Sequence, residues 1–563
     1  MRRLRILVGL CAVMALCSAC AWGQGHTLTH RWLFVFREHN TPEDVARTLA
    51  LLPRAKAAGY NGVVLSEGGL YELDLRPPAY LEGLKQIVAA AEFYQMEFIP
   101  ICMPFGYGGG LLGHNKNLAE GLPVKEARYI ARGGVLRLAP ELPVALANAG
   151  FEEAAGDALA GWQYQIGVGR YIMVDRKVRH RGRNSVRMTH PGDEPTILSQ
   201  RLRVRPFGHY RVSAWAKTRE LDNPGSVRLR ATAGGPCSDF LSYTDLRIAP
   251  TQDWTRYDVV FNSLNHEEVC ITLSIEGKGG GQIWWDDLTL EEIGPVNILR
   301  RPGCPVTMRG EGGTVYEERR DLEPILDPLL KPGEVYHTPP TIRLAKESRI
   351  KEGEYVRLSY YHPVVIHEAQ VPGCMSEPEV YDLVRQQVQR LRNEFHPKHY
   401  FMQHDEIRVA NWCQACWDRN LTPGQMLADN VKRCVGIIHD VDPEAKVWVW
   451  SDMFCPMENA ANRSYYLVNG TWTGSWEGLD SKVGIVNWAG HLEGKNLKWF
   501  SDRGHEQILG GYYDWDEEGK GIQGWLKAAE GVSGVTGAMY TSWADKYDAM
   551  EAWAEKAWGK GPG

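Results

Sequence analysis

The hydrophobic pattern changes character twice along the chain. Arg31-Trp-Leu-Phe-Val-Phe36, Gly62-Val-Val-Leu-Ser66 and Phe98-Ile-Pro-Ile-Cys-Met103 are apolar on both faces. Such runs predict strands of a parallel sheet covered by helices. Between the first two, Thr41-Pro42-Glu-Asp44 predicts a helix start, with Thr as cap, Pro in the first turn and acids at the positive end. Val45, Leu49, Leu52 and Ala55 continue at helical spacing, and Gly59 stops the helix. A second helix is expected over about Tyr80 to Tyr94.

From residue 145 to 294 the period drops to two. Val227-Arg-Leu-Arg-Ala231, Tyr257-Asp-Val-Val-Phe261 and Ile271-Thr-Leu-Ser-Ile275 alternate in and out, separated by turn clusters such as Asp222-Asn-Pro-Gly225. This predicts an all-β sandwich inserted into an α/β domain. Residues 295–354 are Pro- and Gly-rich with weak periodicity and read as a connecting segment. The α/β pattern then returns. Its strands are Tyr355–Tyr360, Tyr400–Gln403, Lys446–Asp452, Val483–Trp488, Gln507–Tyr513 and Gly537–Trp543. Helices start at Ser376-Glu-Pro-Glu379, read as a capping box, and at Thr422-Pro-Gly-Gln425.

The strands number one more than a (β/α)8 barrel needs, and Tyr355–Tyr360 is the one that belongs to the insertion. The expected fold is α/β, a TIM-type barrel in two parts, 26–144 and 355–563, interrupted by the sandwich and the connector. A doubly wound sheet is disfavoured, since the first strand lacks a Gly-rich phosphate turn.

The ends of successive strands carry the chemistry. Tyr400-Phe-Met-Gln403 runs into His404, Asp405, Glu406 and Arg408. Two adjacent carboxylates at a buried strand end repel one another, a poor arrangement for stability. At the C-terminal face of a barrel they suit acid catalysis, one donating a proton while the other orients substrate. The alternative is that the acids pair with Arg408 or cap the next helix. Glu67, Trp450, Asp452, Trp488, Tyr512 or Tyr513, and Trp543 end the other strands. Carboxylates among tryptophans fit a neutral, ring-shaped substrate, and hence glycoside cleavage without a cofactor. No H-x-H or H-E-x-x-H suggests a catalytic metal, and no G-x-S-x-G suggests a serine hydrolase.

Composition adds three constraints. The net charge of −6 provides no basic field for nucleic acid, and no stretch beyond the N-terminus approaches a membrane span. Met1-Arg-Arg-Leu-Arg5, the apolar run Ile6–Leu16 and Ala19-Cys-Ala21 read as a signal peptide over 1–21, implying export to the periplasm or exterior. Lipidation at Cys20 is the weaker reading, since position 17 is Cys rather than Leu. Beyond the signal the Cys count is odd, so at least one thiol stays free. Cys413-Gln-Ala-Cys416 reads as structural, a disulfide or buried thiols; zinc would need two more ligands, with Cys434, His439 or Cys455 as candidates.

Two resemblances sharpen this picture. Asn148-Ala-Gly-Phe-Glu152, Gly161-Trp162 and Ile283-Trp-Trp-Asp-Asp-Leu-Thr-Leu290 resemble the opening and closing strands of carbohydrate-binding modules of families 4 and 9. That implies a jelly roll and a structural calcium, with Glu152 and Asp287 as its acidic ligands. Trp162, Tyr164, Tyr171, Trp215 and Trp254 are then candidate sugar platforms. Gln403-His-Asp-Glu406, Trp412-Cys413-x-x-Cys416, Trp450-Ser-Asp452 and Trp543 resemble the strand-4, strand-5 and strand-8 motifs of glycoside hydrolase family 20, although the Gly-Gly before Asp-Glu is missing. The resemblance implies a β-N-acetylhexosaminidase in which Glu406 is the general acid and Asp405 orients a 2-acetamido group that itself attacks the anomeric carbon. Tyr512 or Tyr513 would bind the acetamido oxygen. Trp450, Trp488 and Trp543 would wall the pocket, while His404, Asp452 and Glu67 would bind substrate. Two alternatives stay open. One is a two-carboxylate glycosidase pairing Glu406 with Glu67, Asp452 or Asp514; the other is a glycan-binding protein without turnover.

Overall fold

Eight of the apolar runs close into a barrel. The computed structural model describes residues 28–190, 192, 196–367, 370–516 and 518–559. The expected signal segment, with Cys20, lies outside them. The barrel strands are β1 (His30–Phe36), β2 (Gly62–Ser66), β3 (Glu97–Cys102), β4 (His399–Met402), β5 (Lys446–Trp450), β6 (Gly484–Asn487), β7 (Gln507–Gly510) and β8 (Val535–Ser542). Each neighbouring pair is parallel, including the closing pair of β1 and β8. The protein is therefore an α/β barrel with inserted all-β structure.

The interior is layered, as alternating inward residues require. At the lower end Trp32 and Trp448 meet edge to face at 5.0 Å, beside His30 and His399. One step up, Phe401 and Trp450 pack at 4.7 Å and Trp450 and Trp543 at 5.7 Å.

Helices α1 (Pro42–Ala57), α2 (Pro78–Phe93), α3 (Pro378–Phe395), α4 (Pro423–Val441), α5 (Lys495–Ser501), α6 (Gly521–Ala529) and α7 (Met550–Trp558) cover the outside. Thr41 with Asp44 and Thr422 with Gln425 form reciprocal capping boxes. The box expected at 376–379 does not form. Glu377 is the N-cap without a side-chain cap bond, and its carboxylate pairs instead with Arg301.

The insertion between β3 and β4 contains two structures. The first is a sandwich of two five-stranded antiparallel sheets, built from strands between Tyr164 and Glu292 and crosslinked by Cys237–Cys270. The second is a six-stranded antiparallel sheet joining Leu122–Arg132 and Val135–Leu138 to Thr307–Gly310, Val315–Tyr316, Ile342–Arg343 and Tyr355–His362. It has its own core around Tyr129, Met308, Leu358 and Tyr360. This corrects the sequence-based division. Residues 122–138 are not barrel and 295–354 is more than a connector, while Tyr355–Tyr360, the surplus strand, does belong to the insertion although the expected second barrel part starts at 355. The pairing joins segments on either side of the sandwich, so local periodicity could not reveal it.

The sandwich rests on the upper loops of the barrel. Phe240 stacks on Tyr466 at 5.5 Å, and the His367 N–H donates to the Tyr243 carbonyl at 2.7 Å. Val409, Trp412 and Leu467, from barrel loops, join the sandwich core.

Candidate active site

A cavity of about 640 Å³ opens at the C-terminal ends of the barrel strands. Glu67, Gln403, Asp405, Glu406, Trp450, Trp488, Tyr513, Asp514 and Trp543 all line it.

Strand alternation decides which residues of the β4 end reach it. Phe401, Gln403 and Asp405 face inward in steps of two, which sends His404 the other way. His404 is fully buried, its Nε2 2.9 Å from the Asn430 side-chain oxygen on α4 and its ring against Phe105. Burial lowers its pKa to about 4. The expectation that His404 binds substrate is thus corrected, because period two turns it toward the helices.

Glu406 would follow His404 outward but for its backbone. Its φ is +46°, in the left-handed region that costs a non-glycine residue roughly 1 kcal/mol or more. That twist brings two consecutive acids to one cavity. Glu406 is fixed by the Tyr107 hydroxyl, which donates to its carboxylate at 2.9 Å, and by Arg408 Nη2 at 2.7 Å. Arg408 also donates to Gln370 at 2.7 Å, and Gln370 Nε2 donates to the Glu406 carbonyl at 2.8 Å. Opposite this turn sits Gly106, where a Cβ would come within 2.6 Å of the Asp405 carbonyl oxygen.

Asp405 is only 6% exposed, and its Oδ1 is buried without a hydrogen-bond partner. Burial, then the nearby Asp452 and Glu406 charges, raise its pKa well above the usual carboxylate range. Asp452 is tied down instead. Its Oδ2 accepts the Glu406 N–H at 3.0 Å and Asn459 Nδ2 at 2.7 Å, and Trp488 Nε1 donates to Oδ1 at 3.4 Å. Burial above all raises its pKa to about 6.

The aromatic walls follow the same alternation. Trp450 is buried between Phe401 and Trp543, with Nε1 unpaired. The Tyr513 hydroxyl donates to the Trp488 carbonyl, and its ring stacks on the exposed Trp515 at 4.5 Å. Tyr512 stacks on Tyr540 at 3.9 Å, and of the two tyrosines only Tyr513 lines the cavity. The expectation that left Tyr512 as an equal candidate is corrected in favour of Tyr513.

Glu67 lines the cavity from β2, with His39 donating backbone N–H at 3.0 Å and Nδ1 lying 2.9 Å away. Asp514 accepts bonds from the Ser542 hydroxyl (2.6 Å) and the backbone N–H groups of Trp543 (2.8 Å) and Ala544 (3.1 Å), so it braces the end of β8. Tyr107 and Gln370 escaped the sequence reading because they stand on loops outside any periodic element.

On the sandwich, Trp162 is core, stacked on Phe151, and Tyr171 is buried. Trp215 and Trp254 are half-buried around His180, at 4.1 and 5.6 Å. Glu152 accepts N–H bonds from Arg183 (2.8 Å) and Asn184 (3.2 Å), while Asp287 lies 2.6 Å from His180 Nδ1. Both acids therefore hold the 180–184 turn. Among the described residues, two other groups gather three or more metal-ligating side chains. They are Glu120 with Cys374, Cys413 and Cys416, and His30 with Glu97 and His399.

No family model matches the chain. A curated Bacillus subtilis protein, the uncharacterized HTH-type transcriptional regulator YbfP, is 25% identical over 152 residues; the match spans 25% of this chain and about half (49%) of that protein. Among solved structures, a Flavobacterium johnsoniae chitobiase of glycoside hydrolase family 20 is 10% identical, with 95% of this chain and 48% of that one covered and a TM-score of 0.37. The carbohydrate-binding module TmCBM61, in complex with β-1,4-galactotriose, is 19% identical over 27% of this chain and 99% of its own, with a TM-score of 0.20.

Proposed function

We propose that the protein is an exported glycoside hydrolase acting on glycans that contain 2-acetamido sugars. The observation that supports this best is the pair Asp405 and Glu406, both turned into one aromatic cavity by the left-handed backbone at Glu406. Glu406 is the partly open carboxyl, held by Tyr107 and Arg408, and it protonates the departing glycosidic oxygen. Asp405 is buried and lacks a partner for Oδ1, as suits a group whose hydrogen bond is completed by the substrate N–H. The acetamido oxygen then attacks the anomeric carbon as the bond to the leaving group breaks. Water later opens the cyclic intermediate, with Glu406 taking back a proton. Trp450, Trp488, Tyr513 and Trp543 enclose the acetamido group and exclude water. The sandwich, with Trp215 and Trp254 half-exposed, presents a second sugar-facing surface.

The test is hydrolysis of aryl β-glycosides with and without a 2-acetamido group by wild type and Glu406→Gln. Release from acetamido sugars alone, lost in the variant, is the expected result. Glu67 borders the same cavity, its carboxylate held by His39, and favours a second reading, a two-carboxylate glycosidase. Release from plain hexosides, together with a comparable loss in Glu67→Gln, would replace the first reading by the second. Absence of turnover on every sugar would move the protein to the glycan-binding class.

A further inference from the structure

The cluster beside the β4 loop has the dimensions of a metal site. Cys374, Cys413, Cys416 and Glu120 come from three separate segments and are all buried, Glu120 at 3% exposure. The sulfurs stand 3.6 Å (374 to 413), 3.8 Å (374 to 416) and 3.5 Å (413 to 416) apart. Glu120 Oε2 lies 3.8 Å from the Cys413 sulfur and 3.6 Å from that of Cys416. Zinc–sulfur bonds of about 2.3 Å and zinc–oxygen bonds of about 2.0 Å at tetrahedral angles require edges of about 3.8 Å (S to S) and about 3.5 Å (S to O). Five of the six edges match this within about 0.3 Å, and the sixth, Cys374 to Glu120, lies within 4.8 Å.

Neither a disulfide nor a set of plain thiols fits the cluster as well. Disulfide sulfurs are about 2.05 Å apart, and three thiols cannot all pair. Ordinary buried thiols do not call for a buried carboxylate in their midst, and the nearby guanidinium of Arg301 is already paired with Glu377. Glu120 is also aimed, its Oε1 accepting the backbone N–H groups of Trp412 at 2.8 Å and Cys413 at 3.2 Å. Such outer bonds fix metal-ligating carboxylates. Cys304 borders the group, its sulfur 2.9 Å from where a Cβ on Gly121 would stand, but it is not one of the four converging ligands.

We propose that Glu120, Cys374, Cys413 and Cys416 bind one zinc ion. Three thiolates and a carboxylate suit a borderline-soft divalent ion, and four protein ligands leave no open position, as in structural sites. The ion ties the segment after β3 and the segment before α3 to the loop that continues from Asp405 and Glu406. The sequence offered Cys434, His439 and Cys455 as completing ligands. The fold supplies Cys374 and Glu120 instead, because it brings together segments distant in the chain. The proposal stands independently of the substrate.

The test is metal analysis of the full chain, purified without chelator under reducing conditions. About one zinc per chain is expected, falling below roughly 0.2 in Cys416→Ser and staying near one in Cys434→Ser, whose thiol lies in α4. Should Cys416→Ser not fold, cobalt substitution of wild type decides, with tetrahedral ligand-field bands and thiolate charge-transfer absorption expected. Folded wild type that takes up neither ion, or a Cys413–Cys416 disulfide in peptide mapping of the reduced preparation, would overturn the proposal. Loss of zinc in Cys304→Ser with full retention in Glu120→Gln would overturn the ligand set.

Discussion

The two ends of the barrel use similar residues to opposite effect. At the lower end, acids and bases are matched. Glu506 holds His30 at 3.0 Å, Thr536 at 2.5 Å and Lys446, and His399 Nδ1 lies 3.1 Å from Trp448 Nε1. At the upper end, Asp405, Glu406 and Asp452 crowd together with a single guanidinium among them, and Asp405 Oδ1 has no partner. Tryptophans flank both groups. Paired charges amid aromatics hold a barrel closed, whereas crowded like charges amid aromatics weaken it and leave groups free to act.

The sharpest way to break this comparison is Glu406→Gln. It should lower kcat by about 10²–10⁴-fold on an acetamido glycoside while leaving the thermal midpoint unchanged. Asp405→Asn should cost about 10²–10³-fold in kcat with little change in KM, since in the proposed mechanism its contact to the acetamido group is strongest in the transition state. Asp452 tests the stability side. A carboxyl whose folded pKa is raised keeps its proton longer in the fold, so its contribution is full below about pH 4 and is lost as pH rises to about 6. In denaturant titrations wild type should therefore lose more stability across that window than Asp452→Asn, by on the order of 3 kcal/mol. The smallest effect belongs to the lower end. Glu506→Gln should cost about 1 kcal/mol of stability and leave kcat within about twofold. A large kcat loss there would erase the contrast between the ends.

How much of this the sequence disclosed follows from the range of the forces involved. The barrel strands were legible because burial on both faces leaves unbroken apolar runs. Asp405, Glu406, Trp450, Trp488 and Trp543 were legible because strand ends of a barrel point one way. His404 and Tyr512 were misplaced because orientation depends on which parity of each strand faces inward. Glu406 reaches the cavity only through a positive φ, to which no residue type in the motif points. The six-stranded sheet and the Glu120–Cys374 meeting depend on contacts across the insertion, beyond any local window.

The position of that insertion also has a consequence in time. β3 ends at Cys102 and β4 begins at His399, so the ribosome adds nearly three hundred residues before the third strand gains its second neighbour. At about 5–20 residues per second that interval lasts on the order of 15–60 s. Throughout it the edge of β3 stays open, while the two sheets of the sandwich, whose strands pair only with one another, can already form, short of the loop residues Val409, Trp412 and Leu467 that finish their core. A nascent chain stalled within the insertion would therefore be a folded module trailing an unfinished, aggregation-prone half-barrel.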